Sequence, residues 1–149
     1  MTLPRNDDLR LIPLAYDENG TNGSFLLEPP LLRHDGTMYG GTAIAVSVMA
    51  MEAATQRDVL WVTTQFVAPA PSGHRIDVAC ETLASGKRTA QLRVTGTLNG
   101  DVMFAALGST GVPKDGGLAG QFEAMPVVSS PDEASILIPG PPGDVESPD

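Results

Sequence analysis

Two carboxylates stand out by placement. Asp35 lies five residues before a Gly40-Gly41 pair, in the loop Arg33-His34-Asp35-Gly36-Thr37-Met38-Tyr39, and Glu52 is the one acid in the apolar run 43–54. A carboxylate can activate water as a general base or attack a carbonyl as a nucleophile. Burial in an apolar helix disfavours its ionised form and raises its pKa, which suits a base. Each acid also has a plainer reading. Asp35 beside Gly36 is a turn former, and Glu52 sits near its helix end, where solvent can reach it. Other nucleophilic types lead nowhere. Ser47 lacks the Gly-x-Ser-x-Gly setting of a nucleophile elbow. The run Ser85-Gly86-Lys87-Arg88-Thr89 looks like the end of a phosphate-binding loop, but Glu81 stands where its first Gly is required, and the run falls in a hairpin. Cys80 is the single cysteine, which excludes an internal disulfide framework and a cysteine-based zinc site. His34 reads as a solvated loop residue and His74 as a surface residue at a strand start. No metal site is expected.

The elements that must position these groups follow from the apolar pattern. Gly40-Gly41-Thr42 opens the one predicted helix, which runs to about Thr55. It is apolar all round, so it is expected to be buried all round over roughly 20 Å. Its first turn has N–H groups without intrahelical partners and a partial positive charge. Upstream, apolar pieces at 9–14 and 25–27 flank Asp17-Glu18-Asn19-Gly20 and Asn22-Gly23, which predict a hairpin-like turn. Pro29-Pro30 ends that pairing. Downstream, strands are predicted at 59–68, 74–83, 88–98 and 102–107 as an antiparallel meander, with hairpins at Ser85-Gly86-Lys87 and Asn99-Gly100-Asp101. The fold class is α+β, an antiparallel sheet wrapped around one long buried helix. One five-stranded sheet cannot cover a helix on every side and leaves open edges, so pairing with a second such unit is expected.

With 149 residues, 42% hydrophobic and 18% charged, the chain suits one domain with a sizeable core. The net charge of −9 is unevenly spread. All nine Lys and Arg lie at or before Lys114 among eleven acids, whereas the remaining seven acids and six of the thirteen prolines lie beyond it. We therefore read 1–115 as a single domain and 116–149 as an acidic Pro/Gly-rich tail or linker. A nearly neutral body without a basic stripe excludes a nucleic-acid partner. The apolar stretch 43–51 is far below the roughly 18–20 residues that cross a bilayer, so no membrane partner is expected. The opening MTLPRNDDLR has no apolar core of a signal peptide. A cytoplasmic location is expected.

Four motifs in order carry a family resemblance: Thr37-Met38-Tyr39-Gly40-Gly41-Thr42-Ala43-Ile44-Ala45, Thr64-Gln65-Phe66-Val67-Ala68-Pro69-Ala70, Glu81-Thr82-Leu83-Ala84-Ser85-Gly86-Lys87-Arg88-Thr89, and Asn99-Gly100-Asp101-Val102-Met103-Phe104. Over about 23–111 the chain is similar to the hotdog-fold acyl-CoA thioesterases, and it most resembles the first hotdog unit of the double-hotdog acyl-CoA thioesterase II type. The resemblance implies a hotdog fold, hydrolysis of acyl-CoA or a similar thioester, no cofactor, and a homodimer or higher homo-oligomer of hotdog units. It places the substrate at Tyr39, Gly40, Gly41 and Thr42, with the thioester carbonyl against the helix N–H groups, where an oxyanion is stabilised. Asp35 and Glu52 are then the candidate catalytic acids. The glycines also have a purely packing role open to them, since they let loop and helix approach closely. The pattern departs from the family at the acid itself. Val48 stands where single-hotdog relatives carry the helix carboxylate, and Tyr39 stands where they carry a His. The Asp, Thr and Gln of the double-hotdog type belong to a second unit and do not carry over. The alternative is therefore a non-catalytic acyl-binding or assembly module. A hotdog dehydratase ranks third, because its Asp-to-His spacing is missing.

Overall fold

The computed structural model describes residues 12–17, 21–112, 120, 123–130 and 132–133. The chain divides into two units, Met1–Lys114 and Asp115–Asp149. In the second, the described residues form no helix or strand, and the Glu133 N–H donates to the Ser130 carbonyl at 3.0 Å. Most of the predicted tail 116–149 lies outside the described residues, as do 9–11 of the first predicted strand and Glu18-Asn19-Gly20 of its turn.

Among the described residues the first unit is one antiparallel sheet with one α-helix and a 3-10 turn at Pro29–Leu31. Its strands are β1 (Ala15–Tyr16), β2 (Asn22–Leu26), β3 (Asp58–Phe66), β4 (Arg75–Ser85), β5 (Thr89–Leu98) and β6 (Asp101–Gly111), and its helix is α1 (Gly40–Thr55). Their order across the sheet is β1-β2-β4-β5-β6-β3. Period-two alternation decides the faces of β4 and β5: Ile76, Val78 and Cys80 point inward with Ala90, Leu92 and Val94, and all six are buried. Phe25, Leu27, Val46, Met51 and Phe104 complete a core in which each large side chain contributes about 1.5–3 kcal/mol. Asn99 and Gly100 both take positive φ, 53° and 93°, as the two-residue β5–β6 hairpin demands.

Three expectations need correcting. Asn22 and Gly23 form no turn. They open β2 and pair with Ala79 and Val78 of β4, and β1 approaches so closely that a Cβ on Gly23 would stand 2.8 Å from the Ala15 carbonyl oxygen. The meander covers only β4, β5 and β6. Strand β3 pairs instead with β6 at the far edge, because the link 67–74, with Pro69 and Pro71, crosses the end of the sheet rather than closing a hairpin. Finally, α1 is not buried all round. Thr42, Ala43, Val46, Ser47, Ala50 and Met51 form its buried stripe, while Ile44 is 40% exposed and Val48 and Glu52 along the same line are half-buried. A single sheet covers one side of a helix, and the apolar remainder faces out.

Candidate functional site

The start of α1 is held by two crossing segments. The loop before it closes on itself through Arg33 N–H to the Thr37 carbonyl at 2.8 Å and Gly36 N–H to the Arg33 carbonyl at 3.0 Å. The β3–β4 link then stitches to that loop: Met38 N–H donates to the Ala70 carbonyl at 2.8 Å and Ser72 N–H to the Gly36 carbonyl at 3.0 Å. Leu31 anchors the helix entrance, its carbonyl accepting from the Tyr39 N–H at 2.9 Å and from the Thr42 hydroxyl at 3.0 Å.

The N-cap position is Tyr39, which makes no side-chain capping bond, and the first turn carries no acid. Among the described residues no side chain caps the Gly40 and Gly41 N–H groups, while the Thr42 N–H donates to the Tyr39 carbonyl at 2.9 Å, and no acid in the first turn offsets the helix dipole. A cleft of about 380 Å³ opens at this point, lined by Arg33, Met38, Gly40, Phe66, Ala68 and Met103 among others. Two aromatic rings lie on the glycines. A Cβ on Gly40 would meet Phe66 Cζ at 3.2 Å, and one on Gly41 would overlap the Tyr39 ring, with Cδ1 at 2.9 Å. Both rings are largely exposed, Phe66 at 59% and Tyr39 at 58%, so neither is locked by packing. The glycines thus admit close packing and leave the N–H groups approachable once a ring turns aside.

The two candidate acids stand at opposite ends of α1. Asp35 is fully engaged on the surface: Oδ1 accepts from the Thr37 N–H at 3.1 Å and hydroxyl at 2.6 Å, and Oδ2 pairs with Arg33 at 3.0 Å. The Thr37 hydroxyl, then its N–H, and further the Arg33 charge hold its carboxyl below the usual range, which makes it a weak base. Glu52 lies twelve residues after Gly40, about 18 Å along the helix axis, and its Oε1 accepts from the Val59 N–H at 3.3 Å. Of the six candidates only Gly40 lines the cleft. The Thr42 hydroxyl serves the Leu31 carbonyl instead.

Other reactive types are accounted for locally. The Ser47 hydroxyl is buried and donates to the Ala43 carbonyl at 2.8 Å. Burial pushes the Cys80 thiol up to about 11, so it stays protonated and inert. His74 Nδ1 sits 3.0 Å from the Ser72 carbonyl on an exposed turn. Among the described residues no group of three or more His, Cys, Asp and Glu side chains could hold a metal ion, and no helix is long and apolar enough to cross a membrane. Sequence reasoning missed Phe66 and Arg33 as cleft residues. Phe66 reaches Gly40 only through the pairing of β3 with β6, which spacing along the chain does not show.

An antiparallel sheet wrapped on one helix, entered through a glycine pair beside a cleft, is the hotdog arrangement of the thioesterase superfamily. Residues 29–111 match the family model of the acyl-CoA thioesterase N-terminal domain, and the chain belongs to that family. Among solved structures it is similar to one from Novosphingobium aromaticivorans described as a thioesterase, with 28% identity and a TM-score of 0.73 over 80% of this chain and 48% of that one. The tesB protein of Mycobacterium avium subsp. paratuberculosis matches at 21% identity and TM-score 0.70, over 80% of this chain and 46% of that one. The E. coli PaaI protein of the phenylacetic acid degradation operon shares the fold at 16% identity and TM-score 0.63, over 72% and 86% of the two chains. The chain spans less than half the length of the first two. A search of curated proteins gives no match.

Proposed function

We propose that the chain binds acyl-CoA-type thioesters and hydrolyses them in a paired assembly of hotdog units. The uncapped first turn of α1, opening on a cleft at Gly40, carries this reading. The thioester carbonyl lies against the Gly40 and Gly41 N–H groups, and the acyl chain runs between α1 and β3. The second unit is another copy of the chain. Strand β3 is a nine-residue edge strand with Leu60 and Trp61 half-exposed, a template for strand pairing, and on α1 Ile44 is exposed with Val48 and Glu52 half-buried along the same line.

Pairing also resolves the distance between Glu52 and the glycines. With two α1 helices antiparallel across the pair, the partner's Glu52 stands level with the first turn of this copy's helix and serves there as general base toward water. Water adds to the carbonyl carbon, its proton passes to the carboxylate, and collapse of the oxyanion expels the thiolate, which takes that proton. A second reading, a non-catalytic acyl-binding module, is favoured by one observation: position 48, about two turns into α1 from Gly40, is a valine and supplies no carboxylate there. Thiol release from a panel of acyl-CoA thioesters separates the two, with calorimetric binding but no release marking the module.

The pairing has its own test. Sedimentation equilibrium at micromolar concentration is expected to show a dimer or larger species, and a monomer throughout that range contradicts the assembly. The proposed assembly works in the cytoplasm, the compartment expected from the sequence.

A further inference from the structure

Thr64 carries a polar group that the proposed site does not use. Its hydroxyl is buried and has no hydrogen-bond partner, and a buried polar atom left so requires an explanation. Thr64 pairs with Ala106 across β3 and β6, and Phe66 with Phe104. Both Ala106 and Phe104 are buried in the core, so Thr64 and Phe66 share the inward face of β3. Strand geometry sets them about 7 Å apart. Phe66 lines the cleft and covers Gly40, and α1 packs against β3. Thr64 is the next inward position of β3 behind Phe66 and lies beyond the lining of the cleft, so an acyl chain continued from Gly40 past Phe66 between helix and strand would reach its hydroxyl. The surrounding inward residues Val62, Phe66 and Ala106 offer it no partner. A saturated alkyl chain leaves the hydroxyl orphaned in the complex too, whereas an oxygen on the chain satisfies it.

We propose that the acyl group taken by this cleft carries a hydroxyl or oxo substituent, bonded by Thr64, and that Thr64 sets this preference. The proposal rests on the thioester reading above. Thr110 is an internal control, since its hydroxyl is likewise buried and unpartnered but sits beside Val59, about 16 Å along β3 from Thr64.

The test compares hexanoyl-CoA with its 3-hydroxy, 3-oxo and 5-hydroxy counterparts, by calorimetric affinity or by kcat/KM where the thioester turns over. The wild-type chain is expected to favour at least one oxygenated chain by roughly 10-fold. Thr64→Val abolishes the preference, Thr64→Ser keeps it, and Thr110→Val leaves it unchanged. Without ligand, Thr64→Val replaces an orphaned hydroxyl by a methyl and raises Tm by about 4 °C. Absence of any preference in the wild type, a preference that survives Thr64→Val, or a lowered Tm in that variant overturns the assignment and leaves the thioester reading standing. Failure of the wild type to bind any of the four overturns both.

Discussion

Gly96→Ala is expected to cost the domain about 3 kcal/mol and to lower its Tm well beyond any surface substitution. Gly96 faces Phe104 directly across β5 and β6, and a Cβ at position 96 would overlap the ring, with Cδ1 at 2.6 Å. Phe104 is wholly buried among the core side chains, so the ring has nowhere to retreat, and either the β5–β6 register or the ring rotamer must give. Chemical denaturation measures the loss. Gly96→Ala with Phe104→Leu is expected to recover part of it, as a coupling between touching residues. Equal losses with and without the smaller residue at position 104 would place the strain elsewhere.

Glu52→Gln is expected to lower kcat by at least 100-fold, in the range of a lost general base, whereas Asp35→Asn stays within a few-fold of wild type. The asymmetry follows from what each carboxylate touches. Asp35 is bound on the surface by Thr37 and Arg33, and these contacts favour its ionised form and weaken it as a base. Glu52 lies half-buried on the uncovered side of α1. About 18 Å separates it from Gly40 within one copy, so in the proposed pair it acts on the site of the other copy. Mixing Glu52→Gln chains with Gly40→Val chains therefore recreates intact sites in the mixed dimers and restores roughly a quarter of wild-type activity in a symmetric pair. Activity that stays lost on mixing would sink the assignment in trans, and full activity in Glu52→Gln would sink the base itself.

Much of the fold was legible in local pattern. The helix runs Gly40–Thr55 as its apolar run and glycine pair indicate, and the inward residues of β4 and β5 follow from strict alternation. The hairpin at Asn99-Gly100 follows from residues that tolerate positive φ. The place of β3 was not legible, because strand order is set by long-range pairing, and nothing in a β-branched run says which neighbour it takes. The helix's open side was hidden for a related reason: an apolar surface does not declare whether sheet, ligand or partner will cover it.

The site divides in the same way. The glycine pair is legible in the sequence as the start of the helix, and α1 does begin at Gly40; the chemistry given to it is the proposal. The two acids could be named but not located, since the length of a helix separates residues that both look adjacent to its chemistry. Phe66 and Thr64 come to the cleft and its approach only through the pairing of β3 with β6. Spacing along the chain carries no trace of that.

The central claim is that the first turn of α1 receives the thioester carbonyl. Thiol release from acyl-CoA thioesters by the wild-type chain and by Gly40→Ala tests it most directly. The added methyl meets only the exposed Phe66 ring, so the fold and Tm are expected to hold. Release is expected from the wild type and to fall about 100-fold in the variant, whose methyl keeps the N–H but stands where the carbonyl must approach it, an effect of the size seen when an oxyanion donor is put out of use. Equal release from a folded Gly40→Ala chain, or neither release nor binding by the wild type, would contradict the account.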